Sequence, residues 1–127
     1  MKQWIGAAGV CLDETKHVLL VKNRDTDAWS LPSGGLEADE TPEGCCEREM
    51  YEETGYRVDV LKLLDVKRTV TPPYTVETHY FLTRATGHAN GPIDPDIAEV
   101  AWVGIDRLDE LHHQYPEDIE QIRRWMR

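Results

Sequence analysis

The sequence predicts an α/β domain in which a mixed sheet carries a helix on each side. Three observations predict it. Short apolar runs with strand-like alternation fall both before and after one well-delimited helical segment. A second amphipathic helical pattern closes the chain. Hydrophobic residues make up 40% of the 127 residues and are spread throughout, enough to bury a real core in one domain spanning residues 1–127.

Gly6–Leu12 and His17–Val21 are apolar runs joined by the polar Asp13-Glu14-Thr15-Lys16, the pattern of a β-hairpin. Trp29-Ser30-Leu31-Pro32 leads into a glycine loop at Gly34-Gly35, and Pro32 holds Leu31 in extended geometry. A helix from about Pro42 to Thr54 follows. Thr41 can cap its free amides, Pro42 sits at the first helical position where its missing N–H costs nothing, and Gly55 is the stop signal. Val58–Val66 and Thr75–Thr83 read as strands about a turn at Thr71-Pro72-Pro73, and Gly87–Pro95 is loop. Glu99–Val103 is a further strand. Asp106 is expected to cap a short helix through Leu111, and Pro116 to open a last helix with Ile119, Ile122 and Met126 on its apolar side.

The chemistry concentrates in residues 34–56, GGLEADETPEGCCEREMYEETGY. Gly34, Glu40, Arg48, Glu49, Glu52, Glu53 and Gly55 fall at the spacing G-x5-E-x7-R-E-U-x-E-E-x-G-U, where U is bulky and apolar. With usage of roughly 5–10% for each residue type, a chance match in a chain of this length is rarer than about one in a million. On the predicted helix Glu49 and Glu52 stand at i,i+3 and Glu49 and Glu53 at i,i+4, so three carboxylates share one stripe. Crowded carboxylates repel one another, and a hard cation such as Mg²⁺ or Mn²⁺ relieves that repulsion by taking oxygen ligands.

This spacing resembles the signature of the Nudix hydrolase family. The resemblance runs on through Trp29-Ser30-Leu31-Pro32 and the Ala98–Val103 strand followed by Asp106 and Leu108, and it implies the family's α/β/α sandwich with a mixed central sheet. It also implies metal-dependent hydrolysis of a pyrophosphate bond in a nucleoside diphosphate linked to another moiety. Glu49, Glu52 and Glu53 would bind Mg²⁺ or Mn²⁺, with Glu52 or Glu53 also serving as base for the attacking water. The Ser33 carbonyl would be a further metal ligand, at a position where many relatives have Gly. Arg48 would brace the acidic cluster and the preceding loop. Glu40 would either hold the loop or reach a second metal, and both readings stay open. Gly34 and Gly35 would give backbone freedom to a loop passing close to metal and phosphate. A carboxylate from outside the motif is sought at Glu77, Asp96 or Glu99.

Lys22, Arg24, Lys67 and Arg68 are candidates for a phosphate-facing patch, and Tyr74, Tyr80 or Trp29 for stacking on a base. Pro72 lies about where ADP-ribose pyrophosphatases carry a proline and Tyr74 about where dinucleoside polyphosphate hydrolases carry a tyrosine, so substrate identity is open among these and nucleoside triphosphates. Two other readings compete with the hydrolase: a non-catalytic nucleotide sensor on the same fold, and removal of pyrophosphate from RNA 5′ ends. The formal charge of −10 speaks against a long nucleic-acid footprint, since each phosphate contact wants a local cation. The expected partner is a small nucleotide. Many relatives pair, so a homodimer stays open. The three cysteines are an odd number without zinc-like spacing and point to burial in a reducing compartment. No apolar run reaches bilayer length, and no signal-peptide layout is present at the start, so the expectation is a soluble cytoplasmic protein without membrane partners.

Overall fold

Apolar residues alternate along the first strand so as to serve two cores at once. In the computed structural model, which describes residues 1–89 and 91–126, β1 spans Lys2–Cys11. Ala7 and Cys11 point into one buried cluster, and Ala8 and Val10 into another, as the period of two in a strand requires. At the following turn the Asp13 carboxylate accepts N–H bonds from Thr15 and His17, both at 2.9 Å. β2 (His17–Asn23) then repeats the division, with Leu19 in the first core and Val18 and Leu20 in the second.

The expected hairpin does not form. Both edges of β1 are taken, one by a parallel strand, β6 (Tyr74–His88), and the other by the short antiparallel β4 (Ser33–Gly35). β2 therefore joins a second sheet, although its start still bridges back to the end of the first strand at Leu12–Val18. Counting β3 (Ala28–Ser30), β5 (Tyr56–Thr71) and β7 (Ile97–Gly104), the mixed sheet has the order β4-β1-β6-β5 and the antiparallel one β3-β2-β7.

The predicted glycine loop is in part β4, pairing Gly34 with Ala7 and Gly35 with Gly6. Between the motif and its helix the signals act as read. α1 spans Pro42–Thr54, the Thr41 hydroxyl accepts the Gly44 N–H at 3.1 Å, and Gly55 closes the helix at φ 79°. The two predicted central strands extend into a long ribbon, β5 and β6, joined at Pro72-Pro73. In the loop after β6, Asn90 lies outside the described residues. Asp106 is no cap: Gly104 precedes a 3₁₀ helix over Ile105–Glu110, and Asp106 sits inside its first turn. α2 spans Glu117–Trp125, directly after Pro116.

α1 covers one face of the mixed sheet and α2 the other. Cys45, Cys46 and Met50 of α1 pack with Ala7, Cys11 and Phe81, while Ile122, with Ile119, Trp125 and Met126 beside it, packs with Ala8, Val10 and Tyr80. The cysteines are free and buried, and burial raises the Cys45 and Cys46 thiols to about 11 and about 12. Among the described residues no helix is long and apolar enough to cross a membrane. Met50 seats α1 on β1, where Gly9 leaves the necessary gap: a Cβ there would overlap the Met50 sulfur. Met50→Ala is expected to cost about 2–5 kcal/mol of folding stability through the cavity it leaves. Urea denaturation checks this, and a loss below about 1 kcal/mol would show that the contact does not anchor the helix.

Candidate active site

The C-terminal part of α1 presses a row of carboxylates, Glu49, Glu52 and Glu53, against β4. A Cβ added to Gly34 would overlap the Glu49 carboxyl group, and one added to Gly35 would come within 3.0 Å of the Trp4 ring on the opposite face. Neither residue has a left-handed backbone. Their glycine character serves close approach, not the loop freedom expected from sequence.

Glu53 is buried at 9% exposure, and its Oε1 accepts the Ser33 N–H at 3.0 Å. Burial is the main reason its pKa rises to about 8, with the neighbouring Glu49 charge adding to it. Glu49 is also pushed up by burial, against the opposing pull of Arg48, and it lies within hydrogen-bonding reach of Glu53. Glu52 is the open member of the row, its side chain 39% exposed against 14% for Glu49.

Arg48 gathers this row from the side. Its Nε and Nη2 form a fork on the Glu40 carboxylate at 2.7 and 2.9 Å, Nη2 also donates to the Gly35 carbonyl at 3.0 Å, and Nη1 reaches Glu49 and, at 3.1 Å, Glu52. The guanidinium thus ties the segment before the helix to β4 and to two of the three carboxylates, the bracing role implied by the resemblance. Glu40 is spent on that fork and on the Glu37 N–H at 3.0 Å, which places it in the scaffold. Hydrogen bonds from Arg48 hold its carboxyl down at about 2.

Other candidates fall elsewhere. The Arg24 guanidinium donates to the carbonyls of Pro95 at 3.0 Å and Ile97 at 3.2 Å, so it clasps the loop before β7. Glu77 is bound by Arg68 at 3.0 Å and His79 at 2.8 Å. It lies on β6, two strands from β4 and hence about 9–10 Å across the sheet, and is not brought to the carboxylate row. Lys22 pairs with Asp27 and Glu99 on the surface. The loop residue drawn to the row is Asp94, which sequence reading passed over for Asp96 and Glu99. The amides of Ile93 and Asp94 both donate to the Glu52 carbonyl at 2.8 Å, and the Asp94 charge contributes to raising Glu53. No local pattern marks it, because its position comes from the loop folding back on the end of α1.

Across β4 lies a cavity of about 460 Å³, lined by Trp4, Leu31, Ser33, Tyr74, Tyr80 and Asp118 among others. Ser33 is common to both sides: its residue borders the cavity and its amide holds Glu53.

Residues 2–126 match the family model described as the NUDIX domain. The chain belongs to the Nudix family. Among curated relatives it is 43% identical over 106 residues to a MutT-like protein of Streptomyces ambofaciens, covering 84% of this chain and 67% of that protein. It is 33% identical over 103 residues to a putative 8-oxo-dGTP diphosphatase of Bacillus subtilis, covering 81% and 68%. A Nudix hydrolase of Nitrosomonas europaea superposes with a TM-score of 0.86 at 23% identity, covering 97% of this chain and 87% of that one, which supports the α/β fold with helices on a mixed sheet. The protein is a Nudix hydrolase, of a family acting on pyrophosphate bonds.

The Arg48–Glu40 fork carries a pH signature. The folded Glu40 pKa lies below the value of 4.5 in the unfolded chain, so the pair's contribution is complete above about pH 4.5 and is lost as pH falls through about 2. Thermal melts across that window are expected to show a smaller drop in Tm for Glu40→Gln than for the wild type. Equal drops would mean the fork contributes nothing to acid stability.

Proposed function

We propose that this Nudix hydrolase is a divalent-metal-dependent enzyme that splits the pyrophosphate bond of a small nucleotide, with Glu49, Glu52 and Glu53 as its metal-binding and reacting groups. The observation that carries the reading is the packing of Glu49 and Glu53 into a low-polarity contact with β4, where burial has raised both. A solvated helix face would gain nothing from that arrangement. An all-oxygen donor set of this kind fits Mg²⁺ or Mn²⁺. Among the described residues no three acidic, His or Cys side chains converge tightly enough to form a ready cation site, because Arg48 draws the Glu49 and Glu52 oxygens aside and the Ser33 amide holds Glu53. The residues fit the ion, and the guanidinium supplies the compensating charge in its place.

When bound, the ion neutralises charge on the phosphates and lowers the pKa of a coordinated water. The chain supplies the rest. Glu49 and Glu53, held by Arg48 and Ser33, are the fixed donors, and the Ser33 carbonyl is kept as a further ligand. Glu52, with its open path to solvent, takes the proton of the attacking water. The glycines of β4 allow phosphate oxygens to come close to backbone. The nucleoside lodges across β4 in the cavity, with its flat, partly exposed aromatic walls.

Relatives include an RNA pyrophosphohydrolase of Erythrobacter litoralis, 28% identical over 134 aligned positions. The charge of −10 favours free nucleotides over a long RNA strand.

Release of phosphate or pyrophosphate from a nucleotide panel is expected with Mg²⁺ or Mn²⁺, to vanish with EDTA and to return on adding metal back. Glu52→Gln is expected to lower kcat by about 10²–10⁴-fold, and Glu53→Gln to raise the metal concentration needed for half-maximal rate. Activity surviving both substitutions would falsify the site, and tight nucleotide binding without turnover under any metal would return the protein to a sensor role.

A further inference from the structure

The segment before β7 is gripped from two sides. Toward α1, the amides of Ile93 and Asp94 both donate to the Glu52 carbonyl at 2.8 Å. Toward the second sheet, Arg24, the residue after β2, takes the next three carbonyls in turn. Its guanidinium donates from Nε to Pro95 at 3.0 Å and from Nη2 to Ile97 at 3.2 Å, and its own amide donates to Asp96 at 2.8 Å. Within the segment the Asp94 carboxylate accepts the Asp96 N–H at 2.9 Å, and the Asp94 carbonyl accepts that of Ile97 at 3.2 Å. Residues 93–97 thus form a short cross-braced link with Arg24 at one end and Glu52 at the other.

Where this link meets the helix gives it a bearing on the chemistry. The last carbonyls of a helix have no partner within it, and the one taken here belongs to a member of the carboxylate row. Glu53 follows directly, with its Oε1 on the Ser33 amide. The last turn of α1 is therefore held by β4 from one side and by residues 93 and 94 from another. The same link brings the Asp94 charge close enough to bear on Glu53, so its placement also sets how negative the row's surroundings are. A planar guanidinium can aim separate N–H groups at two carbonyls, whereas an ammonium on a flexible stem is a single point of attachment.

We propose that Arg24 is a positioning residue of the hydrolase: through residues 93–97 it fixes the last turn of α1, and with it the placement of Glu52 and Glu53 that a divalent cation requires. Its own side-chain bonds go to backbone carbonyls, so it acts through the link and not by contact with the ion. Removing a partner that orients a metal ligand lowers metal affinity roughly 10–100-fold. Arg24 stands one layer further out, behind two sets of backbone hydrogen bonds, which places its effect at the lower end of that range. The inference rests on the hydrolase reading for the row being a metal site, and it adds to that reading a determinant of metal affinity from the second-sheet side of the fold.

Two measurements on the intact protein test it. The first is Mn²⁺ uptake without nucleotide, followed by loss of the free-ion EPR signal. Arg24→Met is expected to weaken uptake by about tenfold, to raise the metal concentration for half-maximal rate by the same factor, and to leave the nucleotide KM at saturating metal little changed. Arg24→Lys is expected to fall between Arg24→Met and the wild type. Ile122→Val, which loosens the core beneath α2, controls for lost stability and is expected to take up Mn²⁺ as the wild type does. The second measurement, which needs no metal, is amide hydrogen exchange at Ile93, Asp94 and Ile97, expected to be faster in Arg24→Met. Unchanged Mn²⁺ uptake in Arg24→Met, or an equal loss in Ile122→Val, overturns the inference and leaves the hydrolase standing. Unchanged exchange in Arg24→Met overturns the link itself. A wild type that neither takes up Mn²⁺ nor turns over any nucleotide, with exchange still faster in Arg24→Met, defeats the hydrolase reading and with it the role in metal binding, while the link from Arg24 to α1 stands.

Discussion

The site depends on how closely a helix bearing three carboxylates can lie on a strand that has no side chain to hold it off. Gly34 gives up a Cβ at the point where Glu49 lies, and two turns of α1 then run so near β4 that the Ser33 amide reaches Glu53. Burial at that distance is unfavourable for like charges. Arg48 makes it tolerable by bridging Glu40, Glu49, Glu52 and the Gly35 carbonyl with one planar group. Lysine, with a single point charge on a flexible stem, does not span four partners in this geometry. The arginine therefore sets the spacing that the motif records: seven residues separate it from Glu40, enough to turn the chain from the end of β4 into α1 and bring the two together.

The fold around this contact follows from the sheet's need to bury both faces. β1 is covered by α1 on one side and by α2 on the other, and its alternating small residues admit each helix. Occupation of both β1 edges sends β2 into a separate sheet. That sheet carries the Arg24 clasp, through which the loop before β7 is held while its own amides meet the Glu52 carbonyl at the end of α1. The end of α1 is thus fixed by backbone contacts from a segment about forty residues further along the chain.

Local signals were the readable ones. Thr41, Pro42 and Gly55 mark α1 to the residue because caps act within one turn, and the stripe of carboxylates is a matter of helical period alone. The bracing by Arg48 was available through family resemblance and is borne out by its contacts. What could not be read depends on which strand neighbours which. The Asp13–Lys16 turn looks like a hairpin from inside, yet pairing is decided by β4 and β6, which are distant in sequence. Gly34 and Gly35 read as loop residues because nothing local distinguishes a glycine kept for its turn from one kept for its thinness. Asp118, in the acidic first turn of α2, looks like an ordinary helix-start acid, and only the packing of β5 and β6 buries it with Lys67 and Tyr80. Arg24 reads as a phosphate-facing cation and Glu77 as a carboxylate from outside the motif, and in the fold Arg24 donates to backbone carbonyls while Glu77 is held by Arg68 and His79.

One strand links the carboxylate row to the cavity on the other face of the sheet. β4 is one of the two edge strands of the mixed sheet, with the carboxylate row on one face and the aromatic cavity on the other. That edge is three residues long. Ser33 contributes to both sides, its residue bordering the cavity and its amide holding Glu53. The short, nearly bare β4 thus joins a cavity walled by β5, β6 and α2 to the carboxylates carried by α1.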